Sequence, residues 1–308
     1  MKLVNYCIKG KEESRIGCVL DNYVLDVQHA YRQLLSSHEK KGIIANLEKY
    51  LPSDASHFFA IGSSAIERAY EAVQYNLEKE EVENRIPLDD VRLKTPIEKP
   101  SKIICVGKNY ANHVEEMKGE MPEYPVIFAK YNNALIGPED VIEKPAFTSE
   151  LDYEVELAVV IGKKASKVLK DDALNYVAGY AIANDTTARD LQKRTPQWLQ
   201  GKTLDRSTPI GPWIVTTEEL KDPSNLSIRS FVNGEERQSA NTNQLIFDVP
   251  FLIQFISRLI TLYPGDIIMT GTPDGVGFAR EPAQFLHDGD VVKVEIEAIG
   301  QMENKIRE

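Results

Sequence analysis

The chain has 308 residues, 42% hydrophobic and 27% charged, with a formal net charge of −11. That length and composition fit one or two globular domains with a self-sufficient core. The charge argues against non-specific binding to nucleic acid or to an anionic membrane surface.

Three cysteines, Cys7, Cys18 and Cys105, have the spacing of neither a zinc cluster nor a disulfide framework. The opening MKLVNYCIKGKEES turns charged too early for a secretory apolar core, and no apolar run approaches the roughly 20 residues of a membrane span. A protein of the cytoplasm is expected.

Residues 1–95 read as a small N-terminal α/β unit. Strand-like runs over Lys2–Lys9 and Arg15–Asp26 are separated by turn signals. Helical patterns follow over Val27–Glu48, interrupted near KKG, and over Ala65–Lys79. The stretch EKEEVENRIPLDD is a charged connector. No chemistry-bearing pattern is found here, and a structural or regulatory appendage is expected.

From residue 96 the character changes. KIICVG (102–107) is a short apolar strand leading into KNYANHVEEMKGE. A helix around Asn112–Met117 would place His113 and Glu116 at i, i+3 on one face. That spacing suits a base and its orienting carboxylate, or simply a solvated surface pair. PVIFAK (125–130) is the next strand.

LDYEVELAVVIG (151–162) reads as one strand with two characters. Asp152, Glu154 and Glu156 alternate onto one face, and an apolar run suited to a doubly covered strand follows. Like charges two residues apart are roughly 7 Å from each other and repel. A bound cation would resolve the conflict; so would an acidic face that meets water. VAGYAIA (177–183) is another buried strand ending at Asn184–Asp185. Asp185 or Thr186 could cap a helix begun by TTARDLQKR, in which Arg189 and Gln192 are again i, i+3. Lys202 follows Gly201. A hairpin is expected around Asn233–Gly234, a largely buried helix over Val249–Leu262, and a Gly/Pro-rich loop over Thr270–Gly277 that offers backbone N–H groups and Thr272. HDGDVVKVEIEAIG closes the chain as a turn and an alternating strand. Glu154, Glu156 and Asp185 offer only oxygen donors, which favours Mg²⁺, Mn²⁺ or Ca²⁺ over zinc.

The strings GKNYANHVEEM, PVIFAK, LDYEVELAVVIG, GYAIANDTTARDLQ, GKTLDRSTPIGPW and GDIIMTGTPDGVG, in this order, resemble the fumarylacetoacetate hydrolase family from about residue 100 to the C-terminus. The likeness is greatest to members of the acylpyruvate hydrolase and oxaloacetate decarboxylase type. The resemblance implies an α+β, β-rich fold: a mixed β-roll or sandwich core over residues 96–308, preceded by the small unit of residues 1–95. It implies a homodimer and Mg²⁺, with Mn²⁺ or Ca²⁺ as alternatives. By position it implies Glu154, Glu156 and Asp185 as metal ligands. Arg189, Gln192 and Thr272 become substrate contacts. His113, Glu116 and Lys202 become catalytic groups, with the His–Glu pair on a flexible lid. Asp152 has no assigned role and is expected to support the site from behind or to face solvent. Tyr110, Lys130 and the lid region are expected to shape the substrate pocket.

The reaction this implies is hydrolytic C–C cleavage in a β-diketo acid, of fumarylacetoacetate or acylpyruvate type, through an enolate that the metal stabilises. Decarboxylation of oxaloacetate and isomerisation of 2-hydroxyhepta-2,4-diene-1,7-dioate type are the enzymatic alternatives. A non-catalytic scaffold is the alternative of another class.

Overall fold

The computed structural model describes residues 1–79 and 85–308. The middle of the expected charged connector, residues 80–84, lies outside the described residues.

The centre is the strand Val155–Ile161, every residue of which is buried. Apart from Glu156, β-branched and apolar residues make it up, because both its faces are covered. It pairs antiparallel with Val177–Asn184 on one side and with Ile267–Met269 on the other. Ile103–Gly107 runs parallel to Ile267–Met269, and Val126–Lys130 follows at the edge. In the other direction Val177–Asn184 pairs with Thr208–Thr216, which pairs with Lys2–Ile8. After Val126–Lys130 the chain crosses back, and Leu135–Ile136 lies parallel to Thr208–Thr216. The sheet thereby rolls, as the resemblance implied.

The two faces of the central strand meet different cores. Val155, Leu157, Val159 and Ile161 pack with Leu252, Ile253 and Ile256 of the helix Val249–Leu259 and with Val294 and Met302 of a second, five-stranded sheet. Ala158 and Val160 pack with Leu3, Ile16, Leu25, Phe58, Phe59 and Ile66. The N-terminal strands therefore extend the central sheet, and the helices Val27–Ser37, Ala55–Ile61 and Ser63–Glu78 belong to the layer that covers it. The expected division at residue 95 interrupts neither sheet nor core.

Local chemistry sets the element ends. Asp26 caps the helix Val27–Ser37 by accepting from the His29 backbone N–H at 2.8 Å, and Asp248 caps Val249–Leu259 through Phe251. Asn233 and Gly234 both take positive φ, the turn that joins Ser227–Val232 to Glu235–Asn241. The helix Ala55–Ile61 and the last strand, Gly300–Arg307, were not anticipated.

Two expectations are corrected. LDYEVELAVVIG is two strands, with Leu151–Asp152 paired to Thr187–Ala188 in a small separate ladder. The cause is Asp152: its carboxylate accepts from the backbone N–H groups of Gly277 and Phe278, which draws this end of the segment out of the main sheet. Asp185 and Thr186 cap no helix. The helix that follows, Arg189–Gln192, starts after the intervening strand and has no side-chain cap.

Candidate active site

Antiparallel pairing decides where the acids meet. Val155 opens its strand opposite Asn184, which closes the neighbouring one. Glu154 and Asp185 therefore emerge at the same edge, and the Asp185 backbone N–H donates to the Glu154 carbonyl at 2.8 Å. Glu154, Glu156 and Asp185 each present an oxygen, and these oxygens lie within 4.8 Å of one another. All three residues are buried.

Cations compensate part of this charge. The Lys202 ammonium lies 2.7 Å from Glu154 Oε2 and 2.7 Å from Asp185 Oδ2. Arg189 Nη2 is 2.7 Å from Glu154 Oε1, and Lys130 Nζ is 2.6 Å from Asp185 Oδ1. Glu156 has no cationic partner among the described residues and accepts one bond, 2.8 Å from the Gly271 N–H. Gly271 must be glycine there: its φ is +103°, and a Cβ would stand 2.8 Å from Asn109 Cβ.

The imbalance sets the protonation behaviour. Burial raises the Glu154 carboxyl, but Lys202, Arg189 and His113 outweigh it and hold the pKa at about 2. Burial also raises Glu156; Asp185 and Glu154 add to that, and its pKa stands well above the ordinary carboxylate range. Burial opposes the charge on Lys202, yet Asp185 and Glu154 make it hold its proton more tightly than a free lysine. An all-oxygen cluster with one uncompensated carboxylate suits a hard divalent cation, whose charge would favour the ionised form of Glu156.

Lys202 owes its position to the residue before it. A Cβ on Gly201 would fall 2.4 Å from the Ala188 carbonyl and 2.6 Å from the Gln192 nitrogen. Glycine lets the helix Leu199–Lys202 close onto the helix Arg189–Gln192. Gln192 Oε1 accepts from Arg189 Nη1 at 3.1 Å.

On the facing wall, the helix Ala111–Glu116 carries the expected pair. His113 Nδ1 and Glu116 Oε1 are 2.8 Å apart, and His113 is buried rather than part of a solvated surface. Glu116 Oε2 accepts from the Gly275 N–H at 2.9 Å, which docks the helix onto the 270–277 loop. Thr272 of that loop faces the same cavity, a cleft of about 290 Å³ that also touches His113, Glu154, Glu156, Arg189, Gln192 and Lys202. Phe128, Trp198, Val114 and Met117 form its apolar lining. A more open groove of about 860 Å³ between Arg92, Lys144, Phe147 and Arg206 contains none of the nine candidate residues.

All nine residues given catalytic, substrate or metal roles thus converge, eight on the cleft wall and in the carboxylate cluster behind it and Glu116 on the His113 ring; Tyr110 and Lys130, expected to shape the pocket, are not on its wall. Asp152 supports them from behind: fully buried, it lies 2.9 Å from Arg189 Nε. The Lys130 contact with Asp185 was missed, since a lysine closing an apolar strand has no distinguishing pattern. Gln238 was missed as well. It is buried, and its only signal is the hairpin register that places it opposite Ser230.

The profile described as fumarylacetoacetate (FAA) hydrolase C-terminal matches residues 102–307. The chain belongs to the fumarylacetoacetate hydrolase family. Among family relatives, the fumarylacetoacetate hydrolase domain-containing protein 2 homolog of Dictyostelium discoideum is 41% identical over 319 residues, covering 100% of this chain and 97% of its own. The mitochondrial oxaloacetate tautomerase Fahd2a of Rattus norvegicus is 45% identical over 257 residues, covering 83% of this chain and 80% of its own. Among solved structures of the fold, maleylpyruvate hydrolase from Sphingobium sp. SYK-6, in complex with manganese(II) and pyruvate, is 29% identical with a TM-score of 0.76, covering 100% of this chain and 99% of that one.

Proposed function

We propose that this family member is a divalent-metal-dependent enzyme acting on small α-keto acids by way of an enolate, and that its reaction is keto–enol tautomerisation of oxaloacetate. The observation that carries this reading is the opposition of a lone oriented base, His113, to a cationic wall of Arg189 and Lys202 across one small cleft. The 45% identity to a named oxaloacetate tautomerase supports oxaloacetate as the substrate within that chemistry.

Glu154, Glu156 and Asp185 would hold the divalent ion. When bound, it would polarise the keto group and favour negative charge on its oxygen. With Nδ1–H directed to Glu116, His113 presents Nε2 as the proton acceptor. Nε2 takes a proton from C3, the C–H electron pair becomes the C2–C3 double bond, and the C2 oxygen takes up the negative charge. Arg189 and Lys202 stabilise that charge in a water-poor site. The proton on Nε2 then passes to the C2 oxygen, giving the enol and neutral His113. Thr272 and Gln192 would bind the substrate carboxylates. The apolar wall formed by Phe128 and Trp198 limits water, which suits a proton transfer that consumes none.

A second reading, hydrolysis of an acylpyruvate, is favoured by the full-length match to a maleylpyruvate hydrolase. It needs the same groups plus a water beside His113. The two are separated by offering the Mn²⁺-loaded protein enol-oxaloacetate and a panel of acylpyruvates and following loss of enol absorbance. Acceleration for oxaloacetate without acylpyruvate cleavage supports the first reading. Cleavage without tautomerisation rejects it in favour of the second, and Mn²⁺ binding with neither reaction supports a scaffold. The homodimer and the cytoplasmic location belong to the same proposal.

A further inference from the structure

Gln238 lies on the five-stranded sheet, outside every motif of the site, yet its amide joins the two halves of that site. Its Oε1 accepts from the Val155 backbone N–H at 3.1 Å and from Ser230 Oγ at 2.8 Å. Its Nε2 donates to Thr272 Oγ1 and to the Pro273 carbonyl, both at 2.8 Å. Val155 sits between Glu154 and Glu156, so one side chain ties the acidic strand to the 270–277 loop.

These bonds fix the amide's direction. The Val155 N–H can only donate, so the atom facing it must be the amide oxygen. The Pro273 carbonyl can only accept, so the atom facing it must be the NH₂. Thr272 Oγ1 therefore receives a hydrogen bond from Gln238. With one of its two lone pairs engaged, the Thr272 hydroxyl keeps its own proton free, and the residue lines the cleft. A hydroxyl with its proton free suits an anionic acceptor such as a carboxylate.

We infer that Gln238 is a positioning residue for substrate recognition: it orients Thr272 as a hydrogen-bond donor toward a substrate carboxylate and registers that donor against the strand bearing Glu154 and Glu156. This rests on the reading of Thr272 as a substrate contact.

The test is a double-mutant cycle of Gln238→Glu and Thr272→Val, read as KM and kcat for oxaloacetate tautomerisation, with Mn²⁺ affinity measured alongside. In Gln238→Glu the new carboxylate accepts from Thr272, which turns the hydroxyl proton away from the cleft. KM should rise about tenfold with kcat within about threefold and Mn²⁺ affinity unchanged, the size expected for loss of one hydrogen bond to a charged group. In the Thr272→Val background Gln238→Glu should leave KM where Thr272→Val has put it. If Thr272→Val alone leaves KM unchanged, the substrate-contact reading fails. If Thr272→Val raises KM but Gln238→Glu does not, or if the two effects multiply in full, the positioning role is overturned. Should Gln238→Glu not fold, Ser230→Ala takes its place: it removes one donor to Oε1, should raise KM about threefold by the same bond arithmetic, and overturns the role if KM is unmoved.

Discussion

Asp152 and Arg189 form an ion pair shut off from solvent, Oδ2 to Nε 2.9 Å, and that pair lets Arg189 point its other nitrogens at Glu154 and Gln192. The Asp152 carboxylate is otherwise satisfied by the N–H groups of Tyr153, Gly277 and Phe278. Asp152→Ala strands a buried guanidinium and three backbone donors together. Breaking a buried pair from one side costs about 3–5 kcal/mol. Urea unfolding of Asp152→Ala should show a loss of that size, with kcat reduced because Arg189 loses its direction. Wild-type stability in this variant would mean that Glu154 alone holds Arg189.

Much of this site was legible in the sequence because alternation in a strand is a strong signal. Glu154 and Glu156 could be placed on one face, and Asp185 at the end of a buried run, before any topology was known. Antiparallel pairing then supplied their meeting, which no local pattern encodes. The i, i+3 spacing of His113 and Glu116 placed them on one helical face but left a solvated surface pair open; their catalytic role came from the family resemblance. Asp152 misled: it shares the parity of Glu154 and Glu156, yet its bonds to the 277–278 backbone, more than 120 positions away, end the strand. Residues 1–95 looked detached because the contact that joins them, Lys2 and Leu3 against Val215 and Ile214, spans two thirds of the chain. Gln238 matters through Val155 and Thr272, which no local pattern connects to it, and Lys130, expected to shape the pocket, is absent from the cleft wall and instead pairs with Asp185.

The acidic cluster makes a prediction about the metal-free protein. The Glu154 pKa is about 2 in the fold against an ordinary 4.5, so its contribution to stability is present above pH 4.5 and is lost as pH falls toward 2. Glu156 has the opposite sign. Its folded pKa is raised, so its contribution is favourable below pH 4.5 and is lost as pH rises through the folded value. In EDTA at neutral pH, Glu156→Gln should therefore melt at a higher temperature than wild type, and the difference should vanish near pH 4. Adding Mn²⁺ should reverse the order. At 100 times its Kd a ligand stabilises the fold by about 2.7 kcal/mol, and the variant should not gain it. Thermal melts at the two pH values, with and without Mn²⁺, decide; equal Mn²⁺ stabilisation of both proteins would remove Glu156 from the ligand set.

Glu154→Gln separates charge from shape at the same cluster. The amide keeps the volume, but it loses the negative charge that Lys202 and Arg189 both face. Mn²⁺ affinity should fall by at least about a hundredfold, the loss that removing even a supporting partner of a metal ligand can cause. Titration calorimetry measures it directly, and circular dichroism should show an unchanged fold. Retention of wild-type affinity would sink the assignment of Glu154 as a ligand.

His113 and Glu116 should separate when changed one at a time. His113→Ala removes the imidazole proposed to exchange a proton at C3, and general acid–base catalysis of this kind contributes about 10²–10⁴ in rate. Tautomerisation should fall by that factor while Mn²⁺ affinity stays constant, because His113 lies outside the carboxylate cluster. Glu116→Gln leaves the imidazole in place. The amide can still accept from Nδ1–H, but it no longer carries the charge that stabilises a protonated ring, and its NH₂ confronts the Gly275 N–H that Glu116 now satisfies. Its kcat should therefore fall less than that of His113→Ala. A Glu116→Gln enzyme with undiminished kcat would show that the pair does not act as a unit, and a His113→Ala enzyme with undiminished tautomerisation would remove His113 from the proton transfer.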